Sequence, residues 1–314
     1  MARTGSRQAA GRKPPPAAAA RTNEADHGRR WAAPVVFVAV LAVVLAVALP
    51  FLFGSDDKAG SPAAGSDPGV AHVHGLGVDP KDGTLYAATH HGVFRIPASG
   101  TATRIADRYQ DTMGFTVVGP RHFLGSGHPD LREDKPSRLG LIESTDGGET
   151  WQSLSLEGRA DFHVLAAAHG RVYGFDAASS QFMVSTDRRS WESRGLTPLV
   201  DFAVSPTEAD TILATLQDGL ARSTDGGRSF AIVTGTPPLV FLAWPAADLV
   251  YGVTVTGAVM ASSDGGATWE QRGSLDGRPE ALIADGSQIV HAATESGIYT
   301  STDGGRTFRL RYRG

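Results

Sequence analysis

The chain has no cysteine among its 314 residues. That excludes a disulfide framework, a thiolate nucleophile, a Cys-ligated metal and a lipidated N-terminal cysteine. Neither sign of charge is in great excess: 29 basic against 33 acidic side chains leave a formal net charge of −4. The molecule as a whole therefore makes no electrostatic case for a nucleic-acid partner. Aromatics are few, and after residue 70 no stretch repeats its apolar residues at the helical period. Glycine is what the chain has in quantity, with 38 residues, which suits many tight turns between short strands.

Charge is unevenly placed along the chain. Residues 1–30 hold Arg3, Arg7, Arg12, Lys13, Arg21, Arg29 and Arg30 against Glu24 and Asp26. With Pro14-Pro15-Pro16 and an alanine run, this segment reads as a disordered basic cytoplasmic leader. Residues 31–53, WAAPVVFVAVLAVVLAVALPFLF, carry no charge and no polar stripe. As a helix they would span about 34 Å, against roughly 30 Å of bilayer hydrocarbon. Arg29 and Arg30 precede this run, while Asp56, Asp57 and Lys58 follow it. The positive-inside rule then expects a single-pass signal anchor in the lipid bilayer, N-terminus inside and everything after it outside. The competing reading is a cleaved signal peptide with Ala46-Val47-Ala48 at the cleavage site; the length of the run favours a retained anchor. Residues 54–70 read as a flexible linker.

From residue 71 the sequence repeats. The marker is Ser-x-Asp-Gly-Gly-x-Thr/Ser-aromatic, present as STDGGETW (Ser144–Trp151), STDGGRSF (Ser223–Phe230), SSDGGATW (Ser262–Trp269) and STDGGRTF (Ser301–Phe308), with a worn copy, STDRRSW, from Ser185 to Trp191. The aspartates Asp146, Asp187, Asp225, Asp264 and Asp303 are spaced by 41, 38, 39 and 39 residues. A sixth copy without the marker aligns GVFRIPASGTATRIA with GIYTSTDGGRTFRLR, and the second copy is lengthened by the insertion HPDLREDKPSRLG. Each repeat holds four short β-rich runs, as VDFAVSP, TILATLQ, GLARSTD and SFAIVTG in the fourth. Repeats of this kind bury their faces only by stacking, and four strands per repeat make a propeller blade. The expected fold is all-β, a six-bladed β-propeller over residues 71–314, preceded by a transmembrane helix; a seven-bladed ring is the alternative, without a seventh repeat to fill it. The marker itself is a turn between the third and fourth strands. Its aspartate accepts backbone N–H groups, its glycines supply positive φ, and its aromatic packs inward.

These repeats resemble the Asp-box (BNR-repeat) superfamily, which includes sialidases, sortilin-type receptors and plant photosystem assembly factors. The strings HVHGLGVDP, YAATHHGVF, DTMGF, GSGHPD and DFH resemble more closely a family of bacterial secreted Asp-box proteins described as glycosyl hydrolases. The resemblance implies a sialidase-like fold, a bacterial cytoplasmic membrane as the place of attachment, and a carbohydrate ligand at the propeller face. It does not extend to the sialidase arginines. Phe94-Arg95-Ile96-Pro97 matches the FRIP string, but the repeat register puts Arg95 on a third strand, away from the channel.

Histidine points to the chemistry, since eight of the ten lie between residues 72 and 169. His72-x-His74, Asp111-x-Met113 and Asp161-x-His163 occupy corresponding positions at the start of the innermost strands of blades one to three. His90, His91 and His128 fall in the loops that join second to third strands. All belong to one face of the ring, opposite the Asp-box turns. The expected metal ligands are His72, His74, His90, His91, Met113, His128 and His163. Imidazole suits zinc or copper, and the thioether inclines toward copper(I). Glycoside hydrolysis is the second reading, with Asp111 and Asp161 as acid and base and with Asp201 and Glu280 completing a ring of carboxylates. A metal-activated water is a third route, and a non-catalytic propeller binding a protein or other ligand, as a monomer, is the alternative class. His122, His169 and His291 are expected to be structural.

Overall fold

The computed structural model describes residues 67–313. The expected leader, the apolar segment 31–53 and residues 54–66 of the linker lie outside the described residues. Among the described residues no helix is long and apolar enough to cross a membrane.

The described chain is a succession of four-stranded antiparallel meanders. The strands form six sheets of four, each in sequence order. The innermost strands are Val73–Val78, Asp111–Gly119, Phe162–Ala168, Leu199–Val204, Leu239–Ala243 and Pro279–Asp285. Each packs against the innermost strands of its two neighbours, and the sixth packs against the first. This closes six blades around one channel, as the repeats require. The repeat's tapering composition explains the radial order. Second strands such as Leu85–Thr89 and Val250–Thr254 are buried along their whole length, whereas outer strands such as Glu192–Leu196 are mostly exposed. Apolar clusters fill the seams between blades. Tyr173, Phe175 and Phe182 of the third pack on Phe202 and Ile212 of the fourth, each buried ring contributing on the order of 2–3 kcal/mol.

The Asp-box turns are built as the sequence implies. Ser144 Oγ donates to Asp146 Oδ1 (2.8 Å) and accepts the Gly148 N–H (2.8 Å), while the Thr150 N–H and hydroxyl reach the two oxygens of Asp146 at 3.0 and 2.6 Å. Gly147 and Gly148 have φ of 81° and 91°, which is costly for any residue with a Cβ. The worn turn keeps the scheme. Asp187 accepts the Arg189 and Ser190 N–H groups at 2.8 and 2.7 Å, with Arg188 taking the positive φ at 62°.

Closure needs no strand borrowed from the other terminus, because Arg309–Arg313 is the outermost strand of the last blade. A buried carboxylate at the seam ties the first blade to the sixth: Glu280 accepts the Val73 N–H at 2.9 Å and lies 3.0 Å from His72 Nδ1. The packed body also begins before residue 71. Val70 is buried in the seam cluster with Val73, Ala281 and Ile298, and Asp67 is paired with Arg104. Residues 67–70 thus belong to the propeller rather than to a free linker, since Val70 gains apolar burial and Asp67 a cation.

Candidate metal centre at the channel mouth

Every innermost strand carries a β-bulge near its start, and the bulges place the site. The pairing skips one residue in each blade: His74, Met113, His163, Val200, Val240 and Glu280. A bulged residue leaves the ladder and re-aims its side chain. Here the shift directs side chains toward the axis, and His74, Met113, His163, Val200 and Glu280 line one cavity of about 30 Å³ together with His72. Two residues before the bulges stand His72, Asp111 and Asp161, then Pro198, Pro238 and Arg278. The mouth is therefore polarised: blades one to three and Glu280 supply metal-type donors, while blades four and five supply apolar side chains.

Blade one contributes three imidazoles. His72 precedes its strand with φ of 46°, a strained conformation for a non-glycine residue, which Glu280 holds from the neighbouring blade. His74 is the bulge residue, and its side chain is only 5% exposed. His90 sits in the turn after the second strand. The ring centroids of His72, His74 and His90 lie 4.4–5.1 Å apart, and one nitrogen of each falls within 4.8 Å of the others. Asp111 of blade two completes the group. His74 Nε2, His90 Nδ1 and Asp111 Oδ1 form a triangle with edges of 3.2, 3.1 and 3.4 Å. The Asp111 oxygen is buried, yet it makes no hydrogen bond.

Electrostatics follow from burial and these neighbours. Burial drives the His74 imidazole down to about 4, so it is neutral with a lone pair to give. The Asp111 carboxylate, 3.1 Å away, raises His90. Burial pushes Asp111 upward, but His74 and His90 outweigh it and keep the carboxyl ionised. Glu280 behaves likewise: burial raises it, and His72 with the Val73 N–H lowers it further.

A second group lies beside the first. Asp161 Oδ2 is 3.0 Å from His163 Nε2 and 3.6 Å from His128 Nε2. Gly127 sets His128 in place: its φ is +134°, and a Cβ there would stand 2.1 Å from Asp111 O.

Two expectations are corrected. His91 does not join the imidazoles. Its ring is 6.4 Å from that of His90, among the charges of Arg104 and Asp67, because successive residues of a tight turn point apart. Asp201 is not equivalent to Asp111 and Asp161. It follows the bulge residue Val200, and its Oδ2 accepts the Leu242 N–H at 2.7 Å. Glu280 in turn occupies the bulge itself. His122 faces Glu143 (2.7 Å), His169 reaches Ser205 O (2.8 Å) and His291 bonds Thr300 Oγ1 (2.7 Å), in structural roles. Arg95 lies exposed on its third strand, away from the channel. Sequence reasoning missed the bulge, whose trace is the small or apolar residue that follows the bulged position in every blade but the fourth, where Asp201 follows.

Asp201 leads to a prediction of its own. Burial raises its carboxyl to about 7, so between pH 4 and 7 the folded state holds a proton that the unfolded chain has released. Stability must then fall as pH rises through that window and level off above it. Asp201→Asn is expected to remove a loss on the order of 2 kcal/mol between pH 4 and 7, read from denaturant midpoints at a series of pH values.

Comparison with known proteins agrees with the fold. A model described as BNR/Asp-box repeat matches residues 142–153, the third strand and Asp-box of blade two. No curated protein matches the chain. Among solved structures, the GH74 xyloglucanase from Xanthomonas campestris is similar with TM-score 0.53 and 17% identity, over 77% of this chain and 45% of that one. A chain of the nidogen/laminin complex gives TM-score 0.55 and 12% identity, over 74% of this chain and 96% of that one. YCF48 bound to D1 peptide gives 0.51 and 13%, over 81% and 99%. The chain spans less than half the length of the xyloglucanase, and at these identities the likeness is one of fold. The chain is thus a six-bladed β-propeller that carries BNR/Asp-box repeats.

Proposed function

We propose that this protein binds a first-row transition metal ion at the mouth of its channel, through His74, His90 and Asp111 with His72 beside them. One observation carries the reading. The three donor atoms are spaced 3.1–3.4 Å apart, and a tetrahedral ion with bonds of about 2.0 Å needs ligand atoms about 3.3 Å apart. The buried Asp111 oxygen without a hydrogen bond is the kind of orphan that a cation satisfies. Met113 lines the same cavity, so copper(I) fits the donor set as well as zinc.

The apolar run 31–53 after Arg29 and Arg30 supports attachment to the cytoplasmic membrane with the propeller outside, where it would meet extracellular metal, protein or carbohydrate. Glycoside hydrolysis is a weaker reading. The fold likeness to a xyloglucanase favours it, but Asp111 and Asp161 are both held ionised by histidines, and a glycosidase needs one of its pair protonated. The test is elemental analysis of the full chain purified without a polyhistidine tag. Zinc or copper at one equivalent or more, retained through gel filtration and removed by chelator, supports the metal reading. A metal-free protein that takes up neither ion when they are supplied rejects it. Hydrolysis of chromogenic glycosides by the wild type, abolished in Asp161→Asn, would favour the enzyme.

A further inference from the structure

We infer that the channel mouth holds a second divalent cation, bound by His128, Asp161 and His163 across blades two and three, so that the centre is dinuclear. The second position uses no donor of the first. In blade two, His128 stands directly opposite Asp111 in the strand pairing. That is the place His90 takes in blade one, one residue beyond the Val73–Thr89 pair. The His–Asp pair is therefore repeated one blade further round, with Asp161 of blade three standing to His128 as Asp111 stands to His90, while His163 comes from the bulge of blade three, the position Met113 takes in blade two.

The orientation of His128 is the decisive feature. Its Nδ1 lies 2.7 Å from the carbonyl of Ser137, and a carbonyl only accepts, so the ring proton sits on Nδ1. With Nδ1 so engaged, Nε2 is the nitrogen turned toward Asp161 Oδ2, 3.6 Å away, and it is the one a cation between the two would take. A backbone carbonyl that fixes a ligand's tautomer in this way is the usual outer partner of a metal-bound histidine. The other carboxylate oxygen of Asp161 is buried without a hydrogen-bond partner, on a side chain only 10% exposed. His163 Nε2 approaches the same Oδ2 at 3.0 Å. Asp161 Oδ2 thus lies within ligand-to-ligand reach of both imidazoles, which a cation would draw around itself. Asp111 lies near enough for its charge to act on Asp161; a cation at each position would neutralise two carboxylates that otherwise repel.

This also gives a purpose to the insertion in the second repeat. Ser137 belongs to it, and the segment is braced rather than loose. Asp130 accepts the N–H groups of Tyr109 (2.8 Å) and Arg132 (3.0 Å), Arg132 reaches Asp107 at 3.0 Å, and the Leu139 N–H donates to Gly127 O at 2.9 Å. The extra residues place one carbonyl where it sets the His128 ring. The ligand class is a divalent ion of borderline softness that accepts two imidazoles and a carboxylate, of which zinc is the commonest and cobalt(II) the spectroscopic substitute.

The test is a titration of the metal-free full chain, without a tag, with zinc and in parallel with cobalt(II), whose visible absorption reports each site as it fills. The wild type is expected to take two equivalents. Asp161→Asn and His128→Gln should each take one, losing the other by more than about 100-fold in affinity, and His74→Gln should lose the complementary equivalent. Two equivalents retained at wild-type affinity in both Asp161→Asn and His128→Gln would overturn the second site while leaving the first. Uptake of a single equivalent, lost in His74→Gln but kept in both of those variants, would do the same. A single equivalent lost in Asp161→Asn and His128→Gln but not in His74→Gln would support this site and reject the first. No uptake by the wild type rejects both. Circular dichroism and the melting temperature of each variant separate loss of a ligand from loss of fold. His163→Gln, at a bulge position outside the ladder pairing, provides a third variant if either of the others unfolds.

Discussion

Replacing Glu280 with alanine is expected to cost about 1–3 kcal/mol, the range for leaving a buried donor without its partner. The carboxylate accepts the Val73 N–H at 2.9 Å and faces His72 Nδ1 at 3.0 Å. Its side chain is 7% exposed, so little water can take its place. Alanine would leave a buried backbone donor without a partner and remove the brace on a histidine already held at positive φ. For a domain of this size each kcal/mol moves the melting temperature by roughly 2–4 °C, so calorimetry should register a drop of about 2–12 °C. The loss falls on the seam between blades six and one, where no shared strand clasps the ring. Amide exchange should therefore accelerate first in the strands Val73–Val78 and Pro279–Asp285. A shift under 2 °C would show that the apolar cluster around Val70, Val73 and Ala281 closes the ring without the carboxylate.

His74→Gln is expected to weaken the first metal equivalent by more than about 100-fold, exceeding the usual effect of losing an outer partner, with little change in the stability of the metal-free protein. Glutamine keeps polar character at a buried bulge but lacks the imidazole lone pair. The linkage between binding and folding gives a second reading of the same variant. Metal at 100 times its dissociation constant adds about 2.7 kcal/mol for each occupied site, so His74→Gln should lose the increment of the first site and keep that of the second. A melting temperature that rises equally with zinc in both proteins would mean that the ion sits elsewhere. Protons compete for the same nitrogens, so the zinc-induced rise should also shrink as pH is lowered from 7 to 5.

The architecture was legible because it is written in local chemistry. The turns of Asp146, Asp187, Asp225, Asp264 and Asp303 rest on hydrogen bonds between residues no more than four positions apart, and their spacing near 39 marks the blades directly. Which face carries the donors was equally legible, since strand count alone sends His90, His128 and the strand starts to one side. Individual aim was harder to read. His90 and His91 are adjacent and chemically identical, and only the turn geometry separates the one beside Asp111 from the one beside Arg104. Asp201 looked like a third member of the Asp111 and Asp161 series because alignment of a strand start is uncertain by a residue or two. The bulge converts that shift into a change of surroundings, from a donor cluster to a half-buried bond with the next blade.

The sequence by itself determined that this protein is a ring of six blades built on the Asp-box repeat, and that His72, His74, His90, His128 and His163 gather on one face in the sector of blades one to three. Turn chemistry and strand periodicity act over a few residues and so survive in one dimension. Only the tertiary structure decided that His74, His90 and Asp111 converge within hydrogen-bond distance, that Glu280 seals the ring against His72, and that Ser137 turns His128 toward Asp161. Those relations join residues up to 208 positions apart. They depend on the closing of the circle and on one extra residue in each inner strand, and neither is a property of any local segment.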